Sequence, residues 1–108
     1  MTKVIVLLSR RADLSREEIR RHLEEEHLPL VQRLPGLRRL AVNYVMPGPD
    51  GAQPAYDAVA EDWFDSPEAV QAALASPEGQ AVNADTPNFL DAGRLVFLVA
   101  EESVVVPG

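Results

Sequence analysis

Residues 3–32 read KVIVLLSRRADLSREEIRRHLEEEHLPLVQ, and this stretch decides the fold. Lys3 to Leu8 is apolar after its first residue, the pattern of a strand covered on both faces. Ser15 then opens a helix. Glu18 stands three residues after it, so S-R-E-E reads as a capping box in which each residue satisfies a free backbone N–H of the other. The helix runs to about Gln32 and stops before Pro35-Gly36.

Working outward, Leu37 to Met46 reads as a second strand and Tyr56 to Phe64 as a third. The segment between them, MPGPDGAQPAYD at residues 46–57, carries three prolines and two glycines and reads as one exposed loop. Ser66-Pro67-Glu68 caps a second helix with proline at its first position. A second Ser-Pro-Glu at 76–78 restarts or bends that helix, which ends by Gly93. Arg94 to Val106 holds a long final strand. The order β-α-β-β-α-β with right-handed crossovers is an α+β, ferredoxin-like sandwich with an antiparallel sheet.

The strands read apolar on both faces. The first sets Val4, Val6 and Leu8 against Ile5 and Leu7; the last sets Leu95, Phe97 and Val99 against Val96, Leu98 and Ala100. Helices cover only one face of such a sheet. The simplest cover for the other is a second copy, giving a homodimer with two sheets packed face to face.

With 108 residues there is one domain, 1–108, and no cysteine, so no disulfide or thiolate zinc site. The net charge of −7 argues against nucleic acid. Residues 1–39 hold nine basic and six acidic side chains, residues 40–108 one basic and eleven acidic, without blocks of one sign. No apolar run approaches the ~20 residues of a membrane span, and MTKVIVLLSRR lacks the length and cleavage site of a secretory signal. The expectation is a cytoplasmic protein with no membrane or nucleic-acid partner.

On a helical wheel with Ile19 at zero, Leu23 falls at about 40°, His27 at about 80° and Leu30 at about 20°. His27 therefore shares the core-facing stripe. His22 falls beyond its border, toward solvent, between Glu18 and Glu26 one turn away on either side. A neutral imidazole between helix and sheet can transfer protons near neutral pH, with Asp57, Glu61 or Asp85 as the carboxylate beside it. The plain alternative is a satisfied core histidine. HLEEEH lacks a second cluster of ligands, so no metal is expected, and without a Gly-rich phosphate loop no nucleotide cofactor. The third strand puts Asp57, Val59, Glu61 and Trp63 on one face and Tyr56, Ala58, Ala60, Asp62 and Phe64 on the other. Its alanines leave room for a ligand or for an Ala-rich helix.

The opening strand with RRADLSREE, the helix end EEHLPL, the following LPGL, YDAVAEDWFDS and ALASPEGQAVNAD together resemble the EthD family of the dimeric α+β barrel superfamily. The resemblance spans nearly the whole chain, and its specificity lies in the joint pattern. It implies a ferredoxin-like fold whose two sheets close into a barrel across a dimer. His27 matches the histidine of the family's H-x-P-L motif. Where the family often carries an aromatic just before that histidine's turn, this chain has RHLEEEH, which implies a different pocket lining. The family name comes from an association with ethyl tert-butyl ether degradation. Related barrels include cofactor-free monooxygenases, polyketide cyclases and muconolactone isomerases, all with a pocket between helices and sheet.

Two functions compete on this reading. One is a cofactor-free oxidoreductase or isomerase/cyclase acting on a small cyclic or aromatic compound. There His27 moves a proton, Asp85 or Asp57 orients it, and Tyr44, Trp63 and Phe89 line the pocket. The other is a non-catalytic binding or accessory protein of an oxygenase or degradation pathway.

Overall fold

Strand β1 (Thr2–Leu8) forms from the apolar run and lies inside the sheet, paired antiparallel on both edges. The computed structural model describes all 108 residues. Helix α1 (Arg16–His22) starts at Ser15, whose hydroxyl accepts from the Glu18 N–H at 3.1 Å while the Glu18 carboxylate accepts from the Ser15 N–H at 3.0 Å. The capping box read from the sequence is formed. The chain continues through a π-helical turn (Leu23–His27) into the short helix α2 (Leu28–Val31). Gly36 then turns it toward the sheet with φ of +80°, a region open to glycine at no steric cost.

Strands β2 (Arg39–Tyr44) and β3 (Ala58–Phe64) form a hairpin around the Pro/Gly loop. Helices α3 (Pro67–Ala75) and α4 (Pro77–Asp85) follow. Ser76 ends the first and caps the second, its hydroxyl accepting from the Gly79 N–H at 3.0 Å, so the second Ser-Pro-Glu restarts the helix. Gly79 is required there, because a Cβ would strike the carbonyl oxygens of Ala73 and Leu74. Strand β4 (Val96–Glu101) closes a four-stranded antiparallel sheet of order β2-β3-β1-β4. This is the ferredoxin-like arrangement.

β4 is shorter than the expected Arg94–Val106. Its sole partner is β1, which runs out at the Glu102 N–H to Met1 carbonyl bond of 3.0 Å, and Val104 to Val106 beyond it are exposed. β2 is likewise trimmed at both ends by the length of β3.

Val4, Val6, Leu8, Ala60 and Phe64 face the helices. They build two apolar clusters, one around Val31, Leu34 and Val70, the other around Ile19, Leu23 and Phe89. The opposite sheet face is only partly apolar, which corrects the expectation of two apolar faces. Its rows run Arg39–Trp63–Lys3–Ala100, Ala41–Glu61–Ile5–Leu98 and Asn43–Val59–Leu7–Val96. Lys3 donates to Glu61 at 2.9 Å and Asn43 donates to the same carboxylate at 2.8 Å. Its contiguous aliphatic patch is Ile5, Leu7, Val59, Val96 and Leu98, while Trp63 lies between the Lys3 and Arg39 cations.

Candidate functional site

His27 is the last residue of the π-helical turn and is 7% exposed. Its Nδ1 lies 2.9 Å from Asp85 Oδ2. Asp85 ends α4, so the bond ties the first helical segment to the last. His22 reaches the same carboxylate, with Nε2 3.0 Å from Oδ2 and 3.1 Å from Oδ1, and Asn88 Nδ2 donates to Oδ1 at 3.0 Å. Phe89 is fully buried behind both imidazoles. Its ring stacks on His22 at 4.5 Å and tilts against His27 at 4.8 Å.

The π turn makes this convergence possible. In a regular α-helix, residues five apart point about 140° away from each other. Here the Leu28 N–H bonds to the Leu23 carbonyl, an i→i+5 bond that brings residue 27 nearly over residue 22. Pro29 sits two residues past this turn, has no N–H to offer the Glu25 carbonyl, and its ring would crowd that carbonyl in a tight α turn. His22 itself is half-buried because Asp85 and Phe89 pack on its flank of α1, and it is not turned to solvent as the wheel implied.

Burial lowers the His27 pKa below its ordinary value, and the Asp85 hydrogen bond only partly offsets it. Burial pushes the Asp85 carboxyl up, but donation from Asn88, His27 and His22 outweighs it and holds the group below its ordinary range. Asp85 is thus the ionised acceptor, and His27 carries its proton on Nδ1. Nε2 is left as the lone-pair nitrogen, without a partner in the chain.

The His27 ring lines a cavity of about 140 Å³ between the helices and the sheet. Its walls are mostly apolar, among them Val6, Leu23, Val31, Phe64 and Phe97, with Asp62, Asn83 and Thr86 as further polar groups. Asp62 projects from β3 on the helix-facing side, between Val4 and Leu40 of the neighbouring strands. Its Oδ1 is buried with no hydrogen-bond partner, and burial pushes the carboxyl up to about 6.

The residues singled out in the sequence divide. Asp85 joins His27, and Phe89 backs the pair without reaching the cavity wall. Asp57 lies elsewhere, held by Arg10 Nη1, by the Arg10 N–H at 2.9 Å and by Arg16 Nε at 3.4 Å. Tyr44 shares the open cleft beside Asp57, with the Arg20 guanidinium 4.0 Å over its ring. Trp63 is on the opposite sheet face, donating to Glu102 at 3.0 Å between Lys3 and Arg39. Glu61 is on that face too. His22, Asn88 and Asp62 complete the site without having been proposed for it. Period-two alternation from the core residue Phe64 would have placed Asp62 inward; no local signal marked His22, whose cover comes from Asp85 and Phe89. No cluster of His, Cys, Asp and Glu is arranged to hold a metal ion, and no helix is long and apolar enough to cross a membrane.

Fold and site define a ferredoxin-like α+β protein with an apolar cavity edged by an Asp-anchored histidine. The EthD domain model matches residues 11–93, and the chain belongs to the EthD family. It is 37% identical over 84 residues to the 11.0 kDa protein of the thcB–thcC intergenic region of Rhodococcus erythropolis, covering 78% of this chain and 81% of that one. An ethyl tert-butyl ether degradation (EthD) family protein of Bacillus halodurans superposes with a TM-score of 0.83 at 28% identity, covering 95% of this chain and 99% of that one. A dimeric protein of ferredoxin-like fold from Bacteroides fragilis superposes with a TM-score of 0.69 at 18% identity, over 94% and 95% of the two chains.

Proposed function

We propose that the cavity receives a small cyclic or aromatic molecule and that His27 moves a proton on it without a cofactor. The observation behind this reading is the free Nε2 on a ring that lines an apolar cavity while ionised Asp85 fixes Nδ1. In such a pair Nε2 takes the proton as a C–H or O–H bond of the substrate breaks, and the carboxylate stabilises the imidazolium that results. His22, Asn88 and Phe89 position Asp85 and the ring. The overall reaction is an isomerisation, a cyclisation, or an oxidation in which dioxygen takes up the electrons of the deprotonated substrate, each beginning with this abstraction. The setting is cytoplasmic, a cysteine-free chain needing no oxidising compartment.

The working unit in this proposal is a homodimer. Its support is the apolar patch of Ile5, Leu7, Val59, Val96 and Leu98 on the sheet face the helices leave uncovered, with Leu98 half-exposed, and a fold relative described as dimeric.

A second reading, binding without chemistry, has its own support. Three donors saturate Asp85, and both rings pack on Phe89, as a clamp between α1 and α4 also would. His27→Gln separates the two. Proton exchange into a panel of phenols, lactones and cyclic ketones, followed by NMR in heavy water, should be lost in the variant with ligand binding retained. Equal exchange in variant and wild type overturns the catalytic reading.

A further inference from the structure

The cavity has a second polar wall that the His27 reading does not use. Asp62 enters it from the sheet, opposite the helical segment that carries His27. The residue is 9% exposed, and its Oδ1 is buried with no donor in reach. An unsatisfied buried acceptor is costly and rare in a native chain, and each instance calls for a physical account. The neighbours across the ladder, Val4 and Leu40, are apolar, so the sheet offers nothing to it. Among the cavity-lining side chains only His27 is otherwise titratable, and it is tied to Asp85 through Nδ1.

Asn83 and Thr86 also line the cavity, but neither bonds Asp62, and the Thr86 hydroxyl donates to the Val82 carbonyl at 3.2 Å, so the donor left for Oδ1 is a ligand. A volume of about 140 Å³ is close to the ~150 Å³ apolar cavity that accepts benzene, so the occupant is about one ring in size. The apolar walls exclude a charged molecule. We infer that the cavity selects a neutral, single-ring molecule with a hydroxyl group, and that this hydroxyl donates to Asp62. This rests on the reading of the cavity as the ligand site and adds to it the class of ligand and a second residue, which determines specificity. The carboxylate rewards an O–H and penalises a ring of equal size that leaves it unpaired.

The test is binding of phenol against toluene, which has the same number of heavy atoms and no donor, measured by NMR titration or calorimetry. Wild type should bind phenol about tenfold or more tighter, the factor expected of a hydrogen bond to a charged group. Asp62→Leu should lose the preference while still binding toluene, and His27→Leu should keep it. Equal affinities in wild type overturn the inference. So does a preference that survives in Asp62→Leu and vanishes in His27→Leu, which would leave the His27 reading standing. If neither ring binds wild type, both readings fall. Should Asp62→Leu not fold, wild type supplies the readout alone. A hydroxyl donating to the ionised form must lower the midpoint at which the Asp62 carboxyl carbon titrates, and toluene must not. A midpoint that phenol leaves in place or raises overturns the inference.

Discussion

His22 and His27 stand five residues apart and contact one carboxylate oxygen, Asp85 Oδ2, at 3.0 and 2.9 Å. The two rings hold the carboxylate through the same oxygen, and His22 fixes where Asp85 can hold His27.

His22→Ala should therefore cost about 1–2 kcal/mol, the range for losing a part-buried hydrogen bond to a charged group together with a ring stack. A solvent-facing His22 with only i,i+4 pairs to Glu18 and Glu26 would cost about 0.5 kcal/mol or less. Chemical denaturation distinguishes the two values. The His27 ring resonances should also shift in the variant, since Asp85 loses one of its three donors.

Stability should depend on Asp62 in a direction opposite to most carboxylates. Its pKa is raised from 3.8 to about 6 in the folded chain, so the native state binds more protons than the unfolded state between those values. The protein gains stability as pH falls through 6 toward 4. Ionisation at pH 8 carries a penalty of about 3 kcal/mol as an upper bound. Asp62→Asn should be more stable than wild type at pH 8 and lose that advantage by pH 4. Denaturation midpoints at the two values check this, and an advantage independent of pH would refute the assignment. His27 acts the other way: its lowered pKa withdraws stability as pH falls below about 6.5, a trend Asp62→Asn should reveal.

The β-α-β-β-α-β order was legible because each element has a local signal: the run Lys3–Leu8, the Ser15/Glu18 box, two Ser-Pro-Glu starts. Strand ends were not, because β4 stops where β1 stops, a fact about a partner about 100 residues away in the chain. His27 was legible from its place on the apolar stripe. Asp85 was one of three carboxylates until the chain brought α4 alongside the first helix. His22 was misplaced because Asp85 and Phe89, more than 60 residues away in the chain, cover its flank of α1, which a helical wheel cannot represent. Trp63 and Asp62 are adjacent in β3 and so point to opposite faces; assigning one to the pocket excluded the other.

Gly79→Ala should destabilise the chain although alanine is the better helix former. Propensity favours alanine by about 1 kcal/mol. Against it, the new methyl meets backbone atoms of Ala73 and Leu74, which cannot swing away as a side chain could. Overpacking of this kind costs about 1–3 kcal/mol, and a rigid backbone neighbour puts the cost toward the upper end. The expected net loss is about 1–2 kcal/mol in urea denaturation. Gly79 also lines the cavity, so ring binding should weaken together with stability. A neutral or stabilising result would mean that α4 can pivot at Ser76.

The last prediction concerns the uncovered sheet face. Ile5 and Leu98 are direct neighbours across β1 and β4 on that face, and Leu98 is 50% exposed. If two chains pack there, Leu98→Asp places a charge in an apolar contact without disturbing the helix-facing core. Val99 points to the other face beside Val4, so Val99→Asp is its positional control. Sedimentation at micromolar concentration should give a dimer for wild type and for Val99→Asp, and a monomer for Leu98→Asp. Monomeric wild type would refute the assembly outright. Dissociation by Val99→Asp but not Leu98→Asp would move the interface to the helix-facing side of β4, where Phe97 and Val99 are also about half exposed.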